Sequence, residues 1–322
     1  MTEPATVRPT FSVIIPTFRR HAQISACLGA LARLRYPRDR FEVIVVDDGS
    51  GSPPSKEVAR AADSLRVRLV RSRHGGPGWA RNAGAAVADG EFLAFTDDDC
   101  TPETDWLDAL SASLVKMPDA AVGGRTENGL PDNPYSTASQ LLVSYLYEYY
   151  SQPDHHNRRF FTTNNLALSR AIFTELGGFD VGTPGETAED RDLCARWAHS
   201  GRPLHYCADA VVYHAHELGP LSFLRQHYRY GRSALYVERA RAQRANERVR
   251  LEPLEFYFGM LAYPFANGHR GRAMLLSLLI AATQAAYAHG VLAQLVGDAL
   301  GASRKRAEQP RTLLDFKGQE ET

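Results

Sequence analysis

Short apolar runs, each followed by a helical pattern, recur through the first hundred positions of this 322-residue chain. Phe11–Pro16 (FSVIIP) reads as a buried strand. Ile24, Cys27, Leu28, Leu31 and Leu34 then recur at helical spacing up to Tyr36-Pro37. Phe41–Val46 (FEVIVV) is a second strand, a helix through Lys56–Ala62 follows, and Val67–Val70 is a third strand. HGGPG (His74–Gly78) opens a helix carrying Ala80 to Val87, and Glu91–Phe95 is the next strand. Alternation with short connections predicts a parallel sheet flanked by helices. Right-handed crossovers put the strand C-termini on one edge, where open α/β sheets bind their ligands. Four polar clusters scattered in sequence should meet there: Pro16-Thr17, Asp47-Asp48, the HGGPG loop and Asp97-Asp98-Asp99.

Beyond Ala120 the pattern is less regular. Ala120–Gly124 reads as a strand, Tyr135–Tyr150 as a tyrosine-rich helix and Gln152–Arg159 as a loop. Asn165–Ser169 is a strand, followed by a helix ending in Gly177-Gly178. A helix over Ala188–His199 and two short strands, Pro203–Cys207 and Val211–Tyr213, precede a mostly helical region from Pro220. The expected division is one α/β domain over 1–219, with a regular first half at about 10–100 and a less regular second half at about 101–219. A helical region over 220–302 and a disordered polar tail over 303–322 complete it.

Basic and acidic residues balance at 37 each, so overall charge predicts no nucleic-acid partner. Cys27, Cys100, Cys194 and Cys207 lie far apart with no CxxC spacing. That argues against a disulfide framework or a structural zinc site and fits a reducing compartment. The N-terminus lacks the apolar core of a signal peptide, so the expected location is cytoplasmic, with a peripheral place on the inner face of the cell membrane left open. Ala273 to Val291 is long enough to span a bilayer, but Gln284 and His289 interrupt it and Asp298 follows. It reads as a buried or interface-lying helix rather than a span.

Three adjacent carboxylates after a buried strand cost free energy unless water or a cation relieves them. Their oxygens suit magnesium or manganese, hard ions that also hold substrate phosphates. Alternation along an extended segment puts Asp97 and Asp99 on one side and Asp98 on the other. The glycine segment GGPGWARNAG does not fit GxGxxG, which disfavours a dinucleotide-binding dehydrogenase. It is either a tight turn or a loop whose backbone approaches a ligand, with Arg81 one turn on to meet a phosphate or a base. Asp47-Asp48-Gly49-Ser50 is equally strand-end turn chemistry or a carboxylate for a ribose or base.

On a helix, Asp190 shares a face with Leu193, Cys194 and Trp197 and points inward, as a general base would. Glu189 then sits to one side with Arg196. Acidic residues in a first turn also complement the helix dipole. His214 ends an apolar strand, either as a structural hydrogen-bonder or as an imidazole ligand for manganese. Arg225, Arg229, Arg232 and Arg239, with Tyr236, recur at helical spacing. Such a stripe is a solvated face, or a place for a lipid phosphate or an anionic membrane surface.

Taken in order and spacing, FSVIIPTFRR, VIVVDDGS, the glycine loop running into ARNAG, FLAFTDDDC, TTNNLALSRAIFTELGGFD, AEDRDLCARW and VVYHAH resemble the family 2 glycosyltransferases of the GT-A fold. The resemblance runs from Thr10 to Gly231, about two thirds of the chain. It implies an α/β fold with a Rossmann-like mixed sheet flanked by helices and followed by a helical C-terminal extension. It also implies an inverting hexosyl transfer from a nucleotide-diphosphate sugar, most often a UDP-sugar, to a hydroxyl acceptor. The acceptor would be a glycan, a lipid-linked molecule or a small metabolite. The setting would be polysaccharide, glycolipid or other cell-envelope glycan synthesis, and the cofactor a divalent metal, Mn2+ or Mg2+.

The same resemblance places the nucleotide sugar at Pro16, Thr17, Arg19, Asp47, Asp48, Gly75, Gly76, Arg81, Asp97 and Asp98. It puts the metal at a DxD pair, Asp97 and Asp99, with Asp99 the direct ligand and His214 a further one. Asp190 takes the place of the base in an ED pair with Glu189. Asn165, Gly177, Gly178, Phe179 and Asp180 would wall the acceptor side. Arg19-Arg20 depart from the Asn or Glu common after the first strand, so contacts there are an open question. A sugar-phosphate nucleotidyltransferase is an alternative, but it would carry a glycine-rich basic segment where this chain has PTFRRHAQ. A non-catalytic membrane-associated scaffold is a second, against which the intact carboxylate set speaks.

Overall fold

A computed structural model describes residues 9–152, 158–182, 187–249, 251–269 and 271–300. The tail expected over 303–322 and most of the expected 152–159 loop lie outside the described residues. Four strands, β1 (Phe11–Thr17), β2 (Phe41–Asp47), β3 (Val67–Arg71) and β4 (Phe92–Phe95), pair in parallel in the order β3-β2-β1-β4. They are joined by helices α1 (His21–Leu31), α2 (Ser55–Ala61) and α3 (Pro77–Ala86). β1, β2 and β4 are buried along their whole length because helices cover both faces, which is why they read as unbroken apolar runs. α1 buries Ile24, Cys27, Leu28 and Leu31 against one face. α3 lays Ala80 and Ala83 on the other, beside Ile14 and Val46. Because β2 lies on one side of β1 and β4 on the other, the winding reverses between β1 and β4. The crevice for a ligand opens at that point, beyond the strand C-termini.

The rest of the sheet is mixed. β5 (Cys100–Pro102), α4 (Trp106–Lys116), β6 (Ala121–Asn128), α5 (Pro134–Tyr150), β7 (Leu166–Ser169), α6 (Arg170–Glu175), α7 (Glu189–His199) and β8 (Leu204–His214) follow in chain order. The complete eight-stranded order is β3-β2-β1-β4-β7-β6-β8-β5. The two strands expected over Pro203–Cys207 and Val211–Tyr213 are a single strand. Its pairing with β6 jumps from Gly124↔Cys207 to Arg125↔Val211, so residues 208–210 bulge. Arg125 Nε donates to Ala208 O at 3.1 Å and Asn165 Nδ2 to Ala210 O at 2.9 Å, which satisfies bulged carbonyls that would otherwise end the strand.

The C-terminal helices α8 (Pro220–Ala245), α9 (Leu254–Ala266) and α10 (Ala273–Ala299) stack beyond α5. α8 and α10 cross in close contact. A Cβ on Gly231 would fall 2.0 Å from Tyr287 O, and one on Gly290 2.1 Å from Tyr228 O. The arginine stripe of α8 is partly turned inward: Arg232 donates to Gln294, Arg239 pairs with Asp298, and Tyr236 donates to Asp180. By length and composition α10 could cross a membrane, and only 22% of its most apolar 18-residue window is buried.

Candidate functional site

The four polar clusters do meet at the switch between β1 and β4. Thr17, the last residue of β1, donates its hydroxyl to Asp98 Oδ2 at 2.7 Å. The Asp48 carboxylate, just past β2, accepts from the backbone N–H of Gly75 and of Gly76, each at 2.9 Å, and contacts His74 Nδ1 at 2.9 Å. Both oxygens of Asp48 therefore hold the glycine loop in place. Gly76 adopts φ +89 just before Pro77 opens α3, a conformation few residues other than glycine take. His74 stacks on Phe18 with ring centroids 4.4 Å apart, which sets an aromatic pair at the mouth of the crevice. Pro16 and Asp47 are buried: Asp47 Oδ1 accepts from Ser50 N, and Oδ2 has no hydrogen-bond partner among the described residues.

The three aspartates do not alternate along an extended segment. Cys100 N donates to Asp97 O at 3.1 Å and closes a turn between β4 and β5. The division is consequently Asp97 against Asp98 and Asp99. Asp97 Oδ1 accepts from Arg81 Nη2 at 2.6 Å, whereas one nitrogen, Arg20 Nη1, reaches Asp98 Oδ1 at 3.0 Å and Asp99 Oδ2 at 2.8 Å. Arg19, the arginine expected in the site, instead lies over the Phe18 ring, and its N–H is held by Ser50 Oγ. Its φ of +58 turns the chain, so that Arg20 faces the acids.

On the other flank, Arg81 Nη1 donates to Glu189 Oε1 at 3.0 Å. Glu189 does not pair with Arg196, as its offset on α7 suggested. Seven residues is two helical turns, too far, and Arg196 takes Asp192 one turn away at 2.7 Å. Asp190 is half-buried, and its carboxylate accepts from Arg191 N at 2.7 Å. Burial raises the pKa of Asp190, against the opposing charges of Arg191 and Arg81. Burial also pushes Glu189 up to about 7 despite Arg81, with the charge of Asp190 adding to the rise.

Asp99 behaves differently. Burial alone would raise its pKa, but contact with His214 and the charge of Arg20 outweigh it and hold the carboxyl down to about 2. His214 rises in turn, because Asp99 outweighs the effect of burial. Asp98, more reliant on burial, is pushed up to about 6. Asp99 Oδ1 lies 3.1 Å from His214 Nε2 as an ion pair yet has no hydrogen-bond partner of good geometry. With Cys100 Sγ these ligand atoms lie within 4.8 Å of one another. Burial pushes the Cys100 thiol well up, so it stays a neutral, poor ligand. A buried carboxylate oxygen set against an imidazole nitrogen fits a divalent cation of the manganese type, which would bind in place of the proton the two share.

The expected acceptor wall is mostly internal. Asn165 is 1% exposed and its amide is spent on Trp106 Nε1, Arg125 O and Ala210 O, so it straps β6 to β8. Gly177 and Gly178, at φ +82 and +72, end α6, and Phe179 is buried in the core with its backbone paired to Asn82. Asp180 binds Tyr236 of α8.

Three neighbours of the site escaped the sequence reading. Asn164, beside the strap residue, contacts His214 Nδ1 at 3.2 Å and accepts from Thr126. Thr187, just before α7, donates to Arg229 O and meets Ser233 Oγ at 2.6 Å, which sets α8 against the carboxylate pair. Tyr230, 39% exposed on that turn of α8, has its phenol pKa raised by burial and by Asp190 and Glu189. Only tertiary packing brings these residues in, and no local spacing marks them.

Residues 12–177 match the profile of Glycosyl transferase family 2, and residues 135–299 that of Glycosyl transferase family group 2. The chain is 30% identical over 236 residues to glycosyltransferase AglE of Haloferax volcanii, covering 71% of this chain and 74% of that protein. It is 29% identical to the validoxylamine A glucosyltransferase of Streptomyces hygroscopicus subsp. limoneus, over 61% of this chain and 49% of the relative. The pre-mycofactocin glycosyltransferase of Mycobacterium tuberculosis is also 29% identical, over 69% of this chain and 46% of the relative. The chain thus spans about half the length of the latter two. Among solved structures, the mannosyltransferase PcManGT from Pyrobaculum calidifontis, in complex with GDP-Man and Mn2+, superposes with a TM-score of 0.57 at 23% identity, over 94% of this chain and 82% of the other. TarS 1–349 of S. aureus with UDP-GlcNAc gives 0.51 at 20%, over 91% and 92%. At such identities these structures show a shared fold.

Proposed function

The chain belongs to glycosyl transferase family 2 and is a glycosyltransferase, and from that premise we propose a metal-dependent, inverting enzyme. It would move a sugar from a nucleoside-diphosphate sugar to a hydroxyl acceptor in the making of a polysaccharide, glycolipid or other cell-envelope glycan. The observation that carries this reading is the Arg81 bridge. One buried guanidinium holds Glu189, 108 residues away in sequence, and Asp97 on its two nitrogens, so the candidate base helix stands beside the acid turn. The complexes of structural neighbours, GDP-Man with Mn2+ in one and UDP-GlcNAc in another, support a nucleotide-sugar donor and a divalent ion.

In this mechanism Asp190 takes the proton of the acceptor hydroxyl, whose oxygen bonds to the sugar C1 as the C1–oxygen bond to the diphosphate breaks on the opposite face. The raised pKa of Asp190 suits proton abstraction better than that of an ordinary surface aspartate. Glu189 and Arg81 position the start of α7 against the acid turn. Asp99 and His214 would hold the divalent cation, with Asp97 turned toward Arg81. When bound, the cation would neutralise charge developing on the leaving diphosphate. The glycine loop, held by Asp48, and the Phe18–His74 pair face the nucleotide. The helices α8 to α10 would rest on an anionic membrane surface.

Asp190→Asn tests the base. Transfer should fall by about 10²–10⁴-fold, while metal-dependent nucleotide-sugar binding measured by calorimetry stays close to wild type. Near wild-type turnover in Asp190→Asn would overturn the assignment.

A further inference from the structure

We propose that Arg20 is an exchangeable counter-charge. Its guanidinium clamps Asp98 and Asp99 together when no divalent cation is present, and transfers to the donor diphosphate when a cation settles beside Asp99. The proposal rests on the metal-dependent reading above.

The acid turn carries two arginines of opposite character. Arg81 is 4% exposed and spans two carboxylates with two different nitrogens, so it cannot leave without opening the core. Arg20 is 45% exposed, while the carboxylates it touches are 5% and 7% exposed. Among the described residues, every hydrogen bond found for its guanidinium runs through Nη1 to those two aspartates. It therefore closes over the pair from the solvent side and can swing away at little structural cost. Nothing else needs to move with it: Thr17 keeps hold of Asp98 Oδ2, and the Arg19 N–H bond to Ser50 fixes the backbone just before it.

The electrostatics make the exchange necessary. Asp99 offers one oxygen to Arg20, and the other lies 3.1 Å from His214 Nε2 with no hydrogen bond of good geometry among the described residues. A dication on that carboxylate would stand within a few ångströms of the guanidinium, and two like charges at that range repel strongly. Cation and guanidinium thus compete for Asp99. A displaced arginine fork matches a phosphate geometrically and electrostatically, and the diphosphate is the anion that arrives with the cation. Room for both is present: Arg20 and Asp99 line a cavity of about 700 Å³ together with Leu130 and Pro131, and since its other charged walls, Asp132 and Glu217, are acidic, a phosphate there would depend on Arg20 and the cation. Metal alone then binds against Arg20, whereas metal with donor binds with its help, so the two ligands are positively coupled through one side chain.

The test uses the full chain and the variants Arg20→Gln and Arg20→Lys, checked for folding by thermal unfolding. Mn2+ binding without nucleotide is followed by the electron-paramagnetic signal of the free ion. UDP and GDP binding at saturating Mn2+ is followed by calorimetry. In Arg20→Gln, Mn2+ alone should bind about tenfold more tightly, and the better-bound nucleoside diphosphate about tenfold more weakly. Arg20→Lys should keep Mn2+ binding near the wild-type level. Weaker or unchanged Mn2+ affinity in Arg20→Gln overturns the proposal, as does unchanged diphosphate affinity or the absence of Mn2+ binding in wild type and variant alike. Mn2+ binding that Arg20→Gln leaves unchanged would sink the exchange while the metal-dependent reading stands, whereas no Mn2+ binding in either protein would sink that reading and the exchange with it.

Discussion

Arg81 opposes the rise in pKa that burial imposes on the two carboxylates at the start of α7, Glu189 and Asp190. It neutralises Glu189 and Asp97 at once, and its charge also reaches Asp190 and opposes the rise that burial imposes. A base works only when deprotonated, so the rate falls as pH drops through its pKa. Because burial raises that pKa, the fall should begin at higher pH than for an ordinary aspartate. The charge of Asp190 raises the proton affinity of Glu189, and by linkage an ionised Glu189 raises that of Asp190. Glu189→Gln removes that charge and leaves Arg81 nearer to Asp190 alone, and both changes act downward. The acid limb of kcat/KM should therefore shift to lower pH in Glu189→Gln. A limb that stays where it was would show that Asp190 and Glu189 do not titrate together. The places of Asp190 at a helix start and of His214 at a strand end were legible because helix offsets and strand ends are local, but the division of the three aspartates was not, because a turn stands where an extended segment was expected. Arg20 was not, because the choice between Arg19 and Arg20 hangs on a left-handed φ that no apolar pattern encodes. Asn165 misled for a related reason: a polar residue at a strand start looks available until the bulge of β8 uses up its amide.

Among the elements, β1, β2 and β4 were readable almost to the residue, since burial on both faces leaves an unbroken apolar run with polar ends. β5 is three residues long, too short to carry a period, and the polar bulge of β8 imitates a break. The crossing of α8 and α10 was equally hidden, for a glycine in a helical pattern does not announce what lies against it. Its prediction is specific. Gly231 and Gly290 each face a backbone carbonyl that cannot move aside, whereas Gly297 on the same α10 meets nothing within 4 Å. Gly231→Val and Gly290→Val should each force the helices apart and cost about 1–3 kcal/mol, lowering the melting temperature by several degrees. Gly297→Ala should be neutral or stabilising, by up to about 1 kcal/mol, from helix propensity. Equal melting temperatures for all three variants would mean that the helices do not cross at these glycines.

For the whole molecule the outstanding question is what the C-terminal helices rest against. Leu254 and Phe258 of α9 are 70% and 69% exposed, and Met274 and Leu278 of α10 are 66% and 62% exposed. Exposed large side chains in such number on two adjacent helices are costly in water and ordinary at a lipid interface. Arg272, next to the start of α10, and Arg225 of α8 are also exposed, and basic groups are what an anionic leaflet attracts. The same assembly touches the site: α8 crosses α10 and also holds Thr187, two residues before Glu189. A membrane under α9 and α10 would thus lie one helix away from the candidate base, a convenient place for a lipid-linked acceptor. The full chain should therefore sediment with vesicles containing phosphatidylserine and only weakly with phosphatidylcholine alone, and added salt should release it. The double variant Leu254→Ser/Phe258→Ser should lose several-fold in vesicle binding while donor hydrolysis in the absence of lipid stays unchanged. Sedimentation with neither vesicle would remove the membrane from the account and leave these helices as a contact for another protein surface.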